Sequence, residues 1–450
     1  MLNSVKKKLL KIFILILLFL HFQFNILNIS PNKFFYDFQT DSEYFLLGRL
    51  HLTSQHGFYS KGSLLGKINN NDQDTIESFL FNKKNTVEEY TVYTANNLLQ
   101  ILFFTPINTF LDFFSPFFSK IINFTDRAND LYPRKFNLEI MRAINSFLLS
   151  FFILRLIKLI NTEVGRLGGG IIFFLLIFSP WLTAIGRNIF WFFWFYFFII
   201  GFIFKNYVQK KPKIRNIKSS FLFFLLFFLL FIKDYIWSSN IILSSLTLIL
   251  YGTIKFNFKL KETIFLIINR SYLILLSLIL AINVHLILNY IIFNSYKDGF
   301  NDFLGRVTRR LSNPDFINDE NFGLINILKI YLTTSDVPWH KDQPDIINVF
   351  NFLSFNASVI IIFLVFFLVI FYLFYFKFLN KKNILNFFLL DLIFLLLFLS
   401  AISWFIIASQ HAFYHQHMSF ILWHIFFITL APIIIIKKFL LLSIKKSSKL

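Results

Sequence analysis

Long apolar blocks alternate with short basic segments along most of this 450-residue chain. Residues 221–232 read FLFFLLFFLLFI, and residues 359–376 read VIIIFLVFFLVIFYLFYF. About 20 mainly apolar residues are enough to cross a bilayer as a helix. The pattern therefore predicts an all-α fold, a polytopic transmembrane helix bundle. Its ten predicted spans are residues 9–29, 138–160, 168–185, 189–205, 219–235, 236–254, 264–294, 346–376, 384–408 and 420–436.

The charges between these spans divide into two classes. Short connecting segments hold 24 basic and two acidic residues, and they are 6–11, 155–166, 205–218, 255–262, 377–382 and 437–449. Two long loops are mixed: residues 30–137 hold 10 basic and 11 acidic residues, and residues 295–346 hold 6 and 8. Short cytoplasmic loops carry an excess of Lys and Arg. The pattern predicts cytoplasmic termini and two outer loops.

The predicted topology requires that residues 97–118 do not cross the membrane. This segment is apolar but contains Pro106 and Pro116, so it is expected to lie in the interface or to re-enter. The first apolar segment continues as HFQFNILNI without a signal-peptidase-like site, which favours an uncleaved span. Residues 1–450 are thus expected to form a single membrane domain in the inner (plasma) membrane.

Composition supports this class and excludes several others. Hydrophobic residues make up 56% of the chain, charged residues only 15%, and the mean hydropathy is +0.63. The net charge of +20 lies in the short connecting segments, so it indicates membrane topology and no nucleic-acid partner. The chain has no cysteine, which excludes disulfides and thiolate catalysis. No phosphate-binding Walker motif is present, which argues against an ATP-driven pump.

The polar stretch YDFQTDSEYFLLGRLHLTSQHG, residues 36–57, directly follows the first span. Asp41 and Glu43 share a face if this stretch is extended. A carboxylate at the membrane surface acts as a general base or binds a divalent cation. The alternative is a solvated loop in which Asp41 caps the helix that follows.

A second polar constellation is SQHAFYHQHMSFILWH, residues 409–424, which contains four of the nine histidines. His411, His415 and His417 are expected in a short outer turn between the last two spans. Imidazoles there bind phosphate, transfer protons or ligate zinc. Zinc is the weaker of these hypotheses, because no cysteine and no third ligand at a fixed spacing support it. The alternative is an interfacial cluster of amphipathic side chains.

Further charged residues lie at the predicted outer ends of spans. They are Arg142, Arg187 and the Lys233-Asp234-Tyr235 tripeptide of FIKDYIW. Charges at span ends are often functional, and Arg and Lys bind phosphate well. Together these residues predict a site for an anionic lipid headgroup, although each alone also fits an interfacial anchor.

The whole pattern resembles the GT-C superfamily of membrane glycosyltransferases, and is similar to protein O-mannosyltransferases and bacterial aminoarabinose transferases. DSEYF (41–45) matches the position of the acidic motif in the first outer loop. LLQILFFTPINTFLDFFSPFF (98–118) resembles the interfacial helices of that loop, and SPWLTAIGRNIFWFFWF (179–195) resembles aromatic spans common in the family.

The resemblance implies a hexosyl- or pentosyltransferase that uses a polyprenyl-phosphate-linked sugar on the outer face. Asp41 would activate the acceptor, and Glu43 would assist it or bind a divalent cation. Arg187, Lys233 and the three histidines would hold the phosphate. The acceptor, a glycan, lipid or protein, stays open. The competing hypotheses are a polysaccharide polymerase or ligase, a transporter or lipid flippase, and a non-enzymatic scaffold.

Overall fold

The computed structural model describes most of the predicted spans and parts of both long loops. The described residues are 2–38, 42–57, 66–68, 72–83, 90–92, 96–122, 134–212, 216–311, 324–333, 366, 370, 381–415 and 420–447. Two candidate site residues, Asp41 and His417, lie outside this part of the chain, as does most of the predicted span 346–376.

Helices form nearly all of the described structure. The helices of the first half are α1 (Leu2–Phe24), α2 (Asn32–Asp37), α3 (Glu43–His56), α4 (Asp72–Leu80), α5 (Leu98–Ile122), α6 (Lys135–Ile177), α7 (Pro180–Gly186) and α8 (Trp194–Ile203). Those of the second half are α9 (Ile217–Lys233), α10 (Ser238–Lys255), α11 (Leu260–Phe293), α12 (Tyr296–Leu311), α13 (Leu324–Thr333), α14 (Lys381–Ile407), α15 (Ser409–Tyr414) and α16 (Ala431–Ser447). There are also two π-helical segments. Phe204–Val208 directly follows α8, and Trp423–Ile428 precedes α16.

Helix α6 has 43 residues but is not straight. Gly165 has φ 78° and ψ 171°, outside the helical region. Asn145, near the beginning of α6, donates a hydrogen bond of 3.1 Å to the carbonyl oxygen of Gly186, beyond its end. A straight helix of this length would be about 65 Å long, so the chain reverses at Gly165. The predicted spans 138–160 and 168–185 correspond mainly to the two arms of this bent helix.

The turn of α6 meets three other segments at one end of the bundle. Glu163, which is buried, forms ion pairs with Lys255 and with Lys437, the latter at 2.9 Å. Gln209 donates a hydrogen bond of 3.1 Å to the carbonyl oxygen of Leu159. Four of the segments predicted to be cytoplasmic therefore share one end, as the predicted topology requires. The side of the membrane on which this end lies stays a prediction.

Four helices in the described part of the chain are long and apolar enough to cross a membrane, and they are Lys135–Ile177, Leu260–Phe293, Phe388–Ile407 and Trp423–Leu440. Other predicted spans correspond to shorter helices: α8 has 10 residues, α9 has 17 and α10 has 18. The structure thus indicates a helical membrane protein. The number of ten spans and the large outer loops stay predictions.

Apolar side chains also cover much of the surface of the bundle. The exposed fraction of the residue is 78% for Phe113 in α5, 60% for Phe221 in α9 and 62% for Ile268 in α11. Exposed apolar patches of this kind mark membrane or protein contacts. Because these helices also have satisfied backbone hydrogen bonds, their surfaces suit the hydrocarbon of a bilayer.

Residues of the predicted first outer loop fold against the beginning of α6. Helix α3 packs on α4 and α5, and a two-stranded antiparallel pair joins β1 (Gly66–Ile68) to β2 (Tyr90–Val92). Apart from this pair of three-residue strands, the described structure is helical, as the sequence predicts. Helix α5 continues through Pro106 and Pro116 without a break in the backbone, whereas the sequence suggested an interruption there.

The core lies where α6, α8, α10, α14 and the segment before α16 meet. Trp191 stacks on Trp237 with ring centres 5.0 Å apart, and Trp423 packs against Phe398 at 5.6 Å. All three tryptophans are fully buried. Large aromatic rings contribute much of the buried area in such a core, and they also hold the polar segments described next.

Candidate functional site

Helix α3 begins in the middle of the polar stretch that follows α1. Ser42, with φ 60°, occupies the N-cap position, so the alternative in which Asp41 caps this helix is wrong. Nine residues between Glu43 and Thr53 are buried, which also contradicts a solvated loop over that part. Asp41 itself lies outside the described residues, and its roles as base or metal ligand stay predictions.

Glu43 and Arg142 form the buried centre of a charged cluster. Arg142 Nε lies 3.3 and 3.2 Å from the two carboxylate oxygens of Glu43, and Arg142 Nη2 also bonds Oε2. The backbone N–H of Ile189 donates to Glu43 Oε1 at 3.1 Å. Such charge-assisted, two-pronged pairs fix the geometry of both groups. This geometry favours a positioning role for Glu43, and its predicted catalytic role stays a prediction.

Glu139 connects Arg142 to Arg187. Its Oε1 accepts a hydrogen bond of 2.7 Å from Arg142 Nη1, and its Oε2 accepts one of 2.7 Å from Arg187 Nη2. Gln23 of α1 donates to the same Oε2 at 3.3 Å. The side chain of Glu139 is 39% exposed, whereas those of the two arginines are largely buried. Glu43, Glu139, Arg142 and Arg187 are called the arginine cluster below.

Arg187 retains donor capacity within this cluster. Its Nε is buried and has no hydrogen-bond partner among the described residues. The guanidinium carbon lies 5.5 Å from the ring centre of Phe35. Burial, followed by the positive charge of Arg142, lowers the pKa of Arg187 from its usual value. A buried cation with an unused N–H group is suited to an additional anionic partner.

The segment between α7 and α8 positions Arg187 through its neighbours. The Asn188 side chain donates to the carbonyl oxygen of Phe38 at 3.0 Å and accepts from the backbone N–H of Phe190 at 3.0 Å. Gln100 of α5 donates to the carbonyl oxygen of Phe190 at 2.9 Å. These bonds satisfy a buried, non-helical backbone that would otherwise be unpaired. Asn188 therefore stabilises the backbone next to Arg187.

Lys233 lies inside the protein, at the C-terminal end of α9. It is fully buried and forms an ion pair with Asp234. Lys233 Nζ also donates to the Tyr196 hydroxyl at 3.2 Å and lies 4.6 Å from the centre of that ring. Asp234 is extended, with φ −171°, where α9 ends. A substrate phosphate reaches Lys233 only if this pair opens, so its predicted binding role needs a conformational change.

Tyr235, just after α9, packs against α11 and α12. Its ring stacks on His285 with centres 5.8 Å apart, and Phe303 of α12 contacts both rings at 6.0 and 5.5 Å. Asn96 lies 3.5 Å from the Tyr235 hydroxyl. Tyr235 thus connects the end of α9 to the second predicted outer loop. His285 was not identified from sequence, because a single histidine in an apolar helix carries no spacing signal.

His411 and His415 are neighbours, as the i, i+4 spacing predicts. Their ring centres are 4.3 Å apart, and the ring of Trp404 lies 5.5 Å from that of His411. Helix α15, which carries His411, packs against α12 and α13. The predicted third member, His417, lies outside the described residues. Proximity of the pair to the arginine cluster stays a prediction.

A further charged network, missed from sequence, lies at the base of α6. Arg134 donates to both oxygens of Asp112, at 3.1 and 2.7 Å, and its Nη1 lies 3.1 Å from His51 Nδ1. Asn137 also donates to Asp112 at 2.7 Å. Burial lowers the pKa of Arg134, and Asp112 partly offsets the effect. Asp112 is the only charged residue in the apolar segment 97–118. Its isolation is a sequence signal that could have identified it as a member of a buried network.

No group of three or more His, Cys, Asp or Glu side chains in the described ranges is placed to hold a metal ion. A divalent cation on Glu43 would also have to displace Arg142 from both carboxylate oxygens. Comparison with family models, with curated proteins and with solved structures finds no match to this chain. The geometry of the arginine cluster and the sequence resemblance are therefore the observations that bear on function.

Proposed function

We propose that this protein is an integral-membrane glycosyltransferase that moves a sugar from a polyprenyl-phosphate donor to an acceptor at the outer face of the membrane. The proposal takes the arginine cluster as the phosphate site. It takes Asp41, two residues before Glu43 in the chain, as the base.

The observation that supports the proposal is the meeting of residues distant in sequence. Glu43 and Arg142 are 99 residues apart, and Glu139 and Arg187 are 48 apart, yet all four form one network. Arg142 and Arg187 lie at the predicted outer ends of spans, and Glu43 belongs to the polar stretch of the first predicted outer loop. Their convergence supports a single site beside the polar stretch of the first loop.

The cluster is suited to exchange one anion for another. Glu139 is the exposed member and occupies one N–H group on each arginine. A donor phosphate carries several acceptor oxygens, so it can take the place of the Glu139 carboxylate and also reach the unused Nε of Arg187. Arginine favours such bidentate contacts with phosphate. Glu43 holds Arg142 in place while Glu139 moves.

The proposed reaction is a direct displacement at the sugar. The acceptor oxygen attacks the anomeric carbon of the sugar, and the carbon–oxygen bond to the phosphate breaks. The electron pair of that bond leaves with the polyprenyl phosphate, while the Asp41 carboxylate takes the acceptor proton. Negative charge grows on the leaving phosphate, and fixed cations that stabilise such charge supply a large share of catalysis. Arg142 and Arg187 perform this task.

The experiment is turnover of a labelled polyprenyl-phosphate sugar by the purified full-length protein in lipid vesicles. We expect release of polyprenyl phosphate and incorporation of the sugar into an acceptor fraction. Arg187→Gln should lower turnover about 10²–10³-fold, the usual effect of losing one charge-stabilising donor. Arg187→Lys should recover part of it. Arg166→Gln, at the exposed turn of α6, is the matched control.

Three results would contradict the proposal. Movement of the intact donor across the vesicle membrane, without cleavage, would favour the transporter or flippase hypothesis. Equal turnover by wild type and Arg187→Gln would remove the arginine cluster from the site. Joining of preassembled glycans, without single-sugar transfer, would instead favour a polymerase or ligase.

A further inference from the structure

A cavity of about 220 Å³ lies between α6, α8 and α9, apart from the arginine cluster. Arg155, on its wall, follows Arg142 by 13 residues along one arm of α6, which corresponds to about 20 Å. The cavity is also lined by Phe152, Phe198, Gly201, Lys205 and Asn206. The cavity therefore carries two cations, one amide and an aromatic surface, and the proposed transfer reaction uses none of them.

The two cations of the cavity have no acidic partner among the described residues. Arg155 and Lys205 are both exposed. By contrast, Lys255 and Lys437 pair with Glu163, and Lys438 pairs with Asp391. Two unpaired cations that share one cavity repel each other, so an anion between them would lower their energy.

The position of the cavity along the bundle indicates that the anion belongs to the membrane surface. Glu163, at the turn of α6, follows Arg155 by eight residues, or about 12 Å along the helix. Arg155 and Lys205 therefore lie inward from the polar end, next to apolar surface. Charges at such a depth are costly unless they are paired or reach the headgroup layer.

The remaining walls suit hydrocarbon. Phe152 packs against Phe198 at 5.0 Å between ring centres, and Trp194 stacks on Phe152 at 5.5 Å. This aromatic surface begins next to the two cations and continues toward the middle of the bundle. The volume fits a phosphate and the first atoms of one acyl chain, with the rest of the lipid in the bilayer.

We propose that this cavity binds an anionic phospholipid of the cytoplasmic leaflet, with its phosphate between Arg155 and Lys205 and one acyl chain along Phe152 and Phe198. Residues 155–166 and 205–218 belong to the basic segments predicted to be cytoplasmic. Basic pockets between helices on that side bind anionic headgroups. The proposal does not depend on the glycosyltransferase reaction.

The test is lipid binding by the delipidated full-length protein, measured by native mass spectrometry with phosphatidylglycerol and with phosphatidylcholine. Wild type should prefer phosphatidylglycerol. The double variant Arg155→Gln, Lys205→Gln should bind it roughly 30-fold more weakly, since each basic residue near an anionic lipid contributes a factor of about five. The double variant Lys158→Gln, Lys210→Gln removes the same charge from exposed positions of the same segments, and it should retain the preference.

A second variant tests the cavity without changing its charge. Gly201 lines the cavity, and a Cβ there would meet only Leu159, at 3.9 Å. Gly201→Leu should therefore fill the space and lower phosphatidylglycerol binding while the protein keeps its helical circular dichroism and elution volume.

Three outcomes would overturn the proposal. They are retained preference in the Arg155, Lys205 variant, an equal loss in the Lys158, Lys210 control, and unchanged binding by Gly201→Leu. Free glycerophosphoglycerol serves as a competitor in the same assay. If it displaced the lipid at equal concentration, the cavity would be an anion site without a lipid component.

Discussion

Arg142 organises the charged cluster, because it contacts both carboxylates. It holds the buried Glu43 through two nitrogens and the exposed Glu139 through a third. Removing one partner of a buried ion pair leaves an uncompensated charge and typically destabilises a protein by about 3–5 kcal/mol. Arg187 contacts only the exposed carboxylate in this cluster. A substitution at Arg187 should therefore change phosphate binding with a smaller effect on stability than a substitution at Arg142.

Asp41→Asn should lower sugar transfer about 10²–10⁴-fold, the usual range for loss of a general base. The amide keeps the size of the side chain but does not accept the acceptor proton. The measurement is single-turnover transfer in vesicles, with Asp298→Asn, an exposed position in α12, as the control. If Asp41→Asn turned over normally, the half-exposed Glu139 would be the next candidate base.

Joint replacement of His411, His415 and His417 by Gln should weaken use of the donor, and a strong chelator should leave the wild type active. Imidazole N–H groups donate to phosphate oxygens, and the structure places the first two rings side by side. The assay compares donor KM and metal content, with His56→Gln at the exposed end of α3 as control. Stoichiometric zinc that disappeared together with activity in His415→Ala would favour a metal site.

At the scale of elements, the bend in α6 decides which residues can meet. Its first arm carries Glu139 and Arg142, and its second arm leads to α7 and Arg187. Without the reversal at Gly165, the end of the second arm would lie far from the beginning of the first. The apolar pattern predicts two spans here, and the structure adds that they are arms of one helical segment.

Gly165→Ala should lower the midpoint of thermal denaturation, whereas Gly170→Ala should leave it unchanged or raise it. Both positions have open space around a new Cβ, but only Gly165 has a positive φ, 78°. Its conformation is essentially restricted to glycine and costs other residues about 1–3 kcal/mol. In a regular helix, alanine is favoured over glycine by about 0.5–1 kcal/mol. Equal midpoints would mean that the backbone at Gly165 relaxes freely.

At the scale of the whole molecule, basic side chains gather at one end of the bundle, around the turn of α6, and the arginine cluster lies at the opposite end, where α6 begins and terminates. Glu163, Lys255 and Lys437 mark the first end. Apolar helices with exposed faces join the two ends. This separation is what the positive-inside pattern describes in membrane proteins.

Cysteine labelling tests this orientation directly, because the chain has no cysteine of its own. A membrane-impermeant maleimide should label Asn301→Cys, in the second predicted outer loop, in intact cells. It should label Lys210→Cys only after the membrane is opened. Both positions are exposed, so accessibility to solvent is matched. Labelling of position 210 from outside would reverse the proposed topology.

The sequence by itself determined the class of the protein, its helical character and its basic end. These properties follow from composition and length, because any sufficiently long apolar helix satisfies its own backbone hydrogen bonds in a bilayer. The sequence also identified Glu43, Arg142 and Arg187 as unusual charges. It did not identify Glu139 or Arg134, which lie among other charged residues in 134–142, and it did not identify Asp112, although this is the only charge in residues 97–118.

Only the tertiary structure decided which of these charges meet. Glu43 in α3 pairs with Arg142, which lies 99 residues later in α6, and the buried Lys233 in α9 donates to Tyr196 in α8. Local sequence patterns set the direction and length of each helix, but contacts between helices depend on side-chain packing across the bundle. The physical reason is that hydrogen bonds and ion pairs need their atoms within a few ångströms of each other, and only the packing of the helices brings these residues so close.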